Sequence, residues 1–478
     1  MLTHIPISPL PPERFREVLG PGYAEVEEAI IRARSLLAGR AIWHINSTAA
    51  GGGVAELLHS LLAYARGAGV DVRWSVMAGE ARFFEVTKRL HNQLHGLDGG
   101  EGGLDASELA VYRDVADRNA EELAELVRPG DVVYLHDPQT AGLVERMVEA
   151  GAIVIWRCHI GGDHPNETMR GAWSLLRPLI EPAHSYVFSR PEYIWEGLDS
   201  RKAAVITPSI DAFSPKNEDL PPATVTAILD RIGLTPNGGE PAIFRRLDGT
   251  VARVDRRARI EQDGPLPPNV PVLTQVSRWD GLKDPVGVLR GFVEYSGSDE
   301  AHLLLVGPVA DGVSDDPEGA AVFQAVREAR LRLDARARAR VHLVSLPMDD
   351  IDENAAMVNA IQRRSTVIAQ KSLAEGFGLT ATEAMWKSRP VVAGAVGGLK
   401  EQVVDGLTGR LVDPTDLEAF GRAAGELLGD PSLAAKMGAA GRERVREKFL
   451  GTRHLMDYVR LLATLLAEQP APGSAAET

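Results

Sequence analysis

The sequence predicts an α/β protein built from two doubly wound, Rossmann-like domains that face each other across a cleft. Three observations lead there. The 478 residues exceed the roughly 250–300 at which a single core stops growing. Short Val- and Ile-rich runs, apolar on both faces, recur along the chain in the manner of buried parallel strands. Amphipathic segments long enough for crossover helices separate these runs, and the whole alternation occurs twice.

A helical segment over 23–37 precedes the first series. Strands are expected at 41–47, 70–77, 131–135, 152–158, 185–189 and 203–208, with helices such as 54–68 and 107–127 between them. The pattern lapses over 213–269, where a helix at 223–232 is followed by a Gly/Pro-rich and charge-rich stretch. It restarts with strands at 271–277, 302–307, 341–346, 366–370, 391–394 and 409–412. Helices are expected between them at 285–295, 320–338, 351–363, 379–387 and 417–428, and a long helical tail spans 431–468. The boundaries follow: a first domain over 1–211, an interdomain connection over 212–268, and a second domain over 269–450. A C-terminal helix and tail occupy 451–478. That helix is expected to pack back on the first domain, and the Pro/Ala/Ser-rich last ten residues to be disordered.

Composition narrows the function. Apolar residues make up 44% and charged residues 25%, as in ordinary globular chains, while aromatics are only 5%, so the core is largely aliphatic. Fifty-two basic residues against 66 acidic ones leave a net charge of −14. Nucleic acid and anionic lipid select basic faces, so neither is an expected partner. Any phosphate site must be a local basic pocket. The single cysteine, Cys158, cannot form an intramolecular disulfide. The first ten residues lack a basic and then apolar signal pattern. No apolar run approaches the ~20 residues that span a bilayer. The chain reads as cytoplasmic, without a membrane partner.

In doubly wound sheets ligands bind beyond the carboxyl ends of the strands, so polar residues directly after apolar runs carry the functional argument. Ser277-Arg278-Trp279-Asp280-Gly281-Leu282-Lys283-Asp284-Pro285 opens the second series. Asp284 suits an N-cap and Pro285 the first helical position, which puts Arg278 and Lys283 on a strand-end loop. A guanidinium grips phosphate bidentately and an ammonium adds a mobile point charge; both side chains would equally suit a solvated surface. The run Gln370-Lys371-Ser372-Leu373-Ala374-Glu375-Gly376-Phe377-Gly378-Leu379-Thr380-Ala381-Thr382-Glu383 follows another strand. Gly376 and Gly378 permit a tight turn and close backbone approach, and the helix start offers free N–H groups. Glu375 and Glu383 suit paired hydroxyls on a sugar or ribose. Thr380-x-x-Glu383 also matches a capping box, so the local pattern leaves Glu383 either a cap or a ligand contact.

In the first series, Asn46-Ser47-Thr48-Ala49-Ala50-Gly51-Gly52-Gly53-Val54-Ala55-Glu56 is a glycine-rich loop entering a helix. It is an anion cradle or a plain flexible turn. It matches neither G-x-G-x-x-G nor a P-loop, which removes the NAD and ATP assignments. His136-Asp137-Pro138-Gln139 and Arg157-Cys158-His159-Ile160 end two further strands. A metal reading of His136, His159 and His164 lacks the spacing of known ligand sets, so no metal ligands are assigned.

Taken together, Arg278, Lys283 and the Glu-x7-Glu pair Glu375…Glu383 resemble the signature of retaining glycosyltransferases of family 4, which have the GT-B fold. The approach Pro208-Ser209-Ile210-Asp211-Ala212-Phe213-Ser214-Pro215 is similar to that family's interdomain segment. The likeness spans about residues 40–450. Within the family, the segment from Ile45 to Glu56, the run 83–92, His136-Asp137-Pro138-Gln139 and Arg157-Cys158-His159-Ile160 resemble the trehalose synthases of the glycosyltransferring type, and several resemble retaining trehalose phosphorylases.

The resemblance implies transfer from a nucleoside-diphosphate glucose (UDP-, ADP- or GDP-glucose) to free glucose, giving α,α-trehalose with retention by front-face attack. It implies catalytic roles for His159, Arg278, Lys283 and Glu375. It places the donor against Gly51, Gly52, Gly53, Arg278, Lys283, Glu375, Gly376, Phe377, Gly378, Leu379 and Glu383. Asn46, Glu56, Asp137 and Arg157 fall on the acceptor side, with the first domain. A homodimer is what the likeness suggests. No tightly bound cofactor is implied; no dedicated carboxylate cluster is evident, although the acidic run 311–318 is a candidate, and Mg2+ stays open as a stimulatory ion on the diphosphate. The alternatives are a trehalose phosphorylase, a family 4 enzyme with another acceptor, a glycosidase using Glu375 and Glu383 as its carboxyl pair, and a non-catalytic sugar-binding protein. The glycosidase reading leaves Arg278 and Lys283 without a task.

Overall fold

The structure, a computed structural model, describes residues 1–49, 52–96, 103–236, 240–309 and 317–467. Gly51, most of the acidic run 311–318 and the tail 469–478 lie outside the described residues. The chain divides into two compact units, Met1–Ser209 with Phe449–Thr478, and Ile210–Lys448.

The first unit holds a seven-stranded sheet. Its strands are β1 (Thr3–Ile5), β2 (Ile42–Asn46), β3 (Val72–Val76), β4 (Val132–His136), β5 (Ile153–Cys158), β6 (Ser185–Phe188) and β7 (Ala203–Val205). They lie in the order β1-β3-β2-β4-β5-β6-β7. All pairs are parallel except β1 with β3, where Thr3 pairs with Val76. β2, β4, β5 and β6 are buried along their whole length, which is why they read as continuous apolar runs. Alternate residues serve two layers. Ile42, Val132 and Tyr134 pack with Leu57, Leu58 and Leu61 of the helix Gly53–Gly67. Trp43, Val133, Leu135 and Trp156 pack with Phe83, Leu90 and Leu123 on the other face. The C-terminal helix Gly451–Ala467 lays Tyr458 and Leu462 on the first of these layers.

The second unit holds a two-stranded hairpin, β8 (Ile243–Arg245) and β9 (Val251–Arg253), and a second seven-stranded sheet. The sheet comprises β10 (Arg259–Glu261), β11 (Val272–Val276), β12 (His302–Pro308), β13 (Val341–Leu346), β14 (Val367–Gln370), β15 (Val391–Gly394) and β16 (Gly409–Val412). Its order is β10-β13-β12-β11-β14-β15-β16. The six parallel strands thus run 3-2-1-4-5-6, the Rossmann order, which reverses direction between β11 and β14.

The twelve strands expected from sequence are all present, within a few residues. Four more are not anticipated: β1 and β8 to β10, each of three residues with exposed or partly exposed faces, too short for a periodic signal. The stretch 212–268, expected as an interdomain connection, falls inside the second unit. Ile228, Leu229 and Ile232 of its helix Pro222–Ile232 are buried with Val272, Val306 and Ile361, and β10 pairs antiparallel with β13. Burying each such side chain stabilises by about 1.5–3 kcal/mol, so the segment is a layer of that domain. The helical tail expected over 431–468 comprises two helices, Pro431–Lys448 and Gly451–Ala467, assigned to different units. Among the described residues no helix is long and apolar enough to cross a membrane.

Two helices of the second unit, Pro285–Tyr295 and Leu417–Gly429, cross at glycine. A Cβ on Gly421 would lie 2.3 Å from the Gly291 carbonyl oxygen and 2.5 Å from Tyr295 Cβ. Gly421→Ala should therefore lower the stability of this unit by about 1–3 kcal/mol, read as faster hydrogen exchange in both helices with the first unit unchanged.

Candidate active site

The reversal between β11 and β14 sets two strand-end loops side by side, although 92 residues of sequence separate Lys283 from Glu375. The loop after β11 is shaped by its own side chains. Asp280 accepts the Leu282 N–H at 2.8 Å, the Lys283 N–H bonds the Asp280 carbonyl at 3.0 Å, and Gly281–Lys283 forms one tight turn. Asp284 then adopts φ 46° and ψ 53° and caps the following helix through the Gly287 N–H at 2.9 Å. The buried Gln275 side chain donates to the Lys283 carbonyl at 2.6 Å, and the Leu373 N–H bonds the Leu282 carbonyl at 2.7 Å. The two loops are thus joined through backbone as well as side chains.

Lys283 Nζ lies 2.6 Å from Glu375 Oε2, and the same oxygen accepts from Ser372 Oγ at 3.0 Å and Gln370 Nε2 at 3.1 Å. Burial alone would raise the Glu375 pKa. Only together do the Lys283 charge and the bonds from Lys283, Ser372 and Gln370 outweigh it, and they hold the carboxyl below its ordinary range. Beside this pair the fully buried Lys371 ammonium meets the Asp284 carboxylate. Arg278 differs: its side chain is 62% exposed, with Asp280 at 3.4 Å, so its guanidinium faces solvent while Lys283 is mostly enclosed.

Gly376, Phe377 and Gly378 form the turn into the helix Leu379–Trp386. Gly378 sits at φ 88°, and a Cβ there would lie 2.9 Å from Leu399 and 3.0 Å from Glu375 Cγ, so the turn requires glycine. Gly378 is also the helix N-cap, which decides between the two readings of Glu383. Thr380 is inside the helix, so the capping-box reading is overturned. Glu383 is instead buried at 2% exposure and ion-paired with Lys216 at 3.5 Å.

In the first unit the corresponding reversal lies between β2 and β4. Asn46, at the end of β2, accepts from Trp74 Nε1 at 2.9 Å and donates to the Thr48 carbonyl at 2.6 Å; its amide therefore ties Thr48 back to the strand end. Gly52 has φ 80° and caps the helix that Gly53 begins, with Glu56 exposed on the first turn. At the end of β4, Asp137 adopts φ 65°. Its Oδ1 accepts the His159 N–H at 2.7 Å, and its own N–H bonds the Arg157 carbonyl at 2.8 Å. The Arg157 guanidinium is fully buried and donates to the Ile206 carbonyl at 2.9 Å and to His159 Nε2 at 3.2 Å. That last bond uses the lone pair a metal would need, and His164 is exposed. Among the described residues no group of three or more His, Cys, Asp or Glu could hold a metal ion.

Sequence reasoning missed several supporting groups. Gln370 and Ser372, which hold Glu375, and Lys371 stand in the quoted loop, where polar residues directly after a buried strand were the signal. Gln275 and His44 are polar residues inside strands, and that is the only signal they give. Lys216 lies far from Glu383 in sequence and gives none.

The family pattern described as trehalose synthase, N-terminal domain, matches residues 44–195, and that of glycosyl transferases group 1 matches 257–444. Trehalose synthase of Pyrococcus horikoshii is 36% identical over 457 residues, 95% of this chain and 96% of that one. The chain belongs to the trehalose synthase family. It is a glycosyltransferase. Trehalose synthase of Rubrobacter xylanophilus is 37% identical over 450 residues, covering 93% and 94% of the two chains. Trehalose phosphorylase of Pleurotus sajor-caju is 25% identical over 84% of this chain but 55% of its own. Among solved structures, a trehalose-phosphate synthase from Burkholderia xenovorans, in complex with glucose-6-phosphate, superposes with a TM-score of 0.65 at 15% identity, covering 89% of this chain and all of that one. Anabaena Alr3699/HepE in complex with UDP-glucose gives 0.61 at 16% identity, covering 90% and 100%. These likenesses establish GT-B, with two Rossmann-like domains.

Burial raises the Asp137 pKa to about 7, against the pull of the His159 N–H bond and the Arg157 charge. A carboxyl whose folded pKa is raised contributes stability below its unfolded pKa and loses it as pH rises through the folded value. Burial of His44 and His136, next to Arg157, lowers their pKa values, which acts oppositely: stability falls as pH drops below about 6.5. Asp137→Asn isolates the first effect. The stability of wild type relative to this variant should decline between about pH 4 and about pH 7, measured by urea unfolding at several pH values; a constant difference would refute it.

Proposed function

We propose that the protein is a retaining glucosyltransferase that joins a nucleoside-diphosphate glucose to free D-glucose and releases α,α-trehalose and nucleoside diphosphate. The observation that carries this reading is the Lys283–Glu375 contact at the strand-order reversal of the second sheet, where doubly wound sheets take their ligands. Lys283 and the exposed Arg278 supply two cations for a diphosphate. The carboxylate of Glu375, kept ionised by Lys283, accepts sugar hydroxyls beside the Gly376–Gly378 turn. Glu383 serves the ribose hydroxyls. In the first unit Gly52 and Gly53 open a helix N-terminus suited to phosphate, and His159 hydrogen-bonds the transferring sugar. Asp137, Arg157, Asn46 and Glu56 stand on the acceptor side.

In the reaction the acceptor hydroxyl oxygen bonds to glucosyl C1 on the face from which the diphosphate departs. The bond between C1 and the bridging diphosphate oxygen breaks, the oxygen leaves with the phosphorus, and the leaving phosphate takes the hydroxyl proton. Preorganised cations favour this step because negative charge grows on the leaving group. The names of the full-length relatives support the product, and the UDP-glucose of the Anabaena structure supports the donor class. The phosphorylase reading is second, because inorganic phosphate could occupy the same cations. The Pleurotus relative supports it less, at lower identity and partial length.

The test is a screen of UDP-, ADP- and GDP-glucose against free glucose, with and without Mg2+, the product anomers being read by NMR. Release of nucleoside diphosphate with α,α-trehalose is expected. Phosphate-dependent trehalose cleavage without nucleotide-glucose turnover would favour the phosphorylase. Arg278→Ala and Lys283→Ala should each lower kcat by about 100-fold or more, with circular dichroism unchanged; near-normal turnover in both would remove the diphosphate role.

A further inference from the structure

Three histidine rings run edge to edge through the first unit. His44 lies within β2, His136 ends β4 and His159 follows β5. His44 Nδ1 is 3.0 Å from His136 Nε2, and His136 Nδ1 is 3.1 Å from His159 Nε2. Successive ring centroids lie 5.3 and 5.4 Å apart, with the ring planes 27° and 15° from parallel. His44 is further fixed by stacking on Tyr134, 4.6 Å away and 1° from parallel. His44 and His136 are buried, at 4% and 1% exposure, and His159 is partly open.

Arg157 gives this row a direction. Its Nε–H donates to His159 Nε2 at 3.2 Å. A guanidinium has donors and no acceptor, so His159 Nε2 is the acceptor and carries no proton. A neutral His159 then has its proton on Nδ1. The second contact at that same nitrogen is a hydrogen bond only if His136 Nδ1 donates. A neutral His136 then accepts at Nε2, and His44 donates from Nδ1. Burial, with the Arg157 charge alongside, keeps the three rings neutral. Among the described residues His159 Nδ1 has no protein partner.

We propose that His136 and His44 are positioning residues that, together with Arg157, lock His159 as its Nδ1–H tautomer, so that His159 offers a hydrogen-bond donor to an oxygen of the transferring glucose. The donor's target rests on the reading under Proposed function; the lock itself does not. With Nε2 engaged and Nδ1 protonated, His159 has no lone pair available to take the acceptor proton, which leaves that proton to the departing phosphate. His159 is a catalytic residue in this scheme because it touches the sugar; His136 and His44 act through it.

Two measurements on the full chain test the lock. The first is long-range proton–nitrogen correlation NMR on protein carrying isotope-labelled histidine, with His159 assigned by its loss in His159→Gln. A protonated Nδ1 and an unprotonated Nε2 are expected; a proton on Nε2 overturns the proposal, whether or not the enzyme turns over any substrate. The second is kinetic. An asparagine amide nitrogen stands near the place of histidine Nδ1, and a glutamine amide nitrogen near Nε2. His159→Asn should therefore retain at least about tenfold more kcat than His159→Gln; equal losses overturn the proposal. His136→Leu should lower kcat about tenfold with KM for the nucleotide sugar little changed. His136→Asn, which keeps the donor to His159, should recover most of it; wild-type kcat in His136→Leu overturns the proposal. Where His136→Leu fails to fold, His136→Asn and the NMR assignment decide. An intact tautomer in a protein that transfers no glucose would refute only the function.

Discussion

The 2.6 Å contact between Lys283 and Glu375 depends on the order in which the second sheet is wound. Strands added to one side of β11 and then to the other leave the loops after β11 and β14 as neighbours with no helix between them. Everything the site needs follows from that adjacency. Glu375 is largely buried, and a lone buried carboxylate would be neutral. Lys283 keeps it charged, and Gln370 and Ser372 share the same oxygen. Lys283 is in turn positioned through its backbone by Gln275. Removing either end of such a pair costs more than the pair contributes, because the survivor stays buried and uncompensated.

Backbone conformations that are costly elsewhere occur at both reversals. Asp284 and Asp137, with φ of 46° and 65°, are non-glycine residues in a region that costs of order 1–3 kcal/mol. Each repays that cost in local order. Asp284 caps the helix after Lys283 and takes the Lys371 ammonium, and Asp137 holds the His159 N–H. Gly378 does the equivalent at the turn after Glu375, where the absence of a Cβ lets the carboxylate stem and Leu399 close in.

The first unit handles polarity differently. Its sheet carries histidines and an arginine into a largely aliphatic and aromatic interior, where ring meets ring and the guanidinium meets a ring nitrogen and a carbonyl. Such chains are directional, since every donor needs an acceptor. The C-terminal helix closes over this region, its His454 bonding Ser209 at 3.0 Å and its Arg453 the Thr207 carbonyl at 2.7 Å. The last described helix is therefore part of the support for the earliest strands.

The sequence by itself determined the twelve principal strands, most of the helices between them and the loops on which chemistry is carried. Those features are encoded by neighbouring residues: apolar period, a glycine turn, an Asp-Pro helix start. It also determined the family, through Arg278, Lys283, Glu375 and Glu383 in order. Only the tertiary structure decided what these residues touch. The Thr380…Glu383 spacing fits a helix cap, yet Gly378 is the cap and Glu383 is buried against Lys216. The stretch 212–268 lacks a strand pattern, yet Ile228 and Leu229 belong to the second core. The histidine row joins three strands whose order the sequence does not spell out. The reason is common to all three. Local propensity fixes which segments are strands or helices, whereas strand order and side-chain partners are chosen by burial of surfaces distant in sequence, and that choice leaves no local signature.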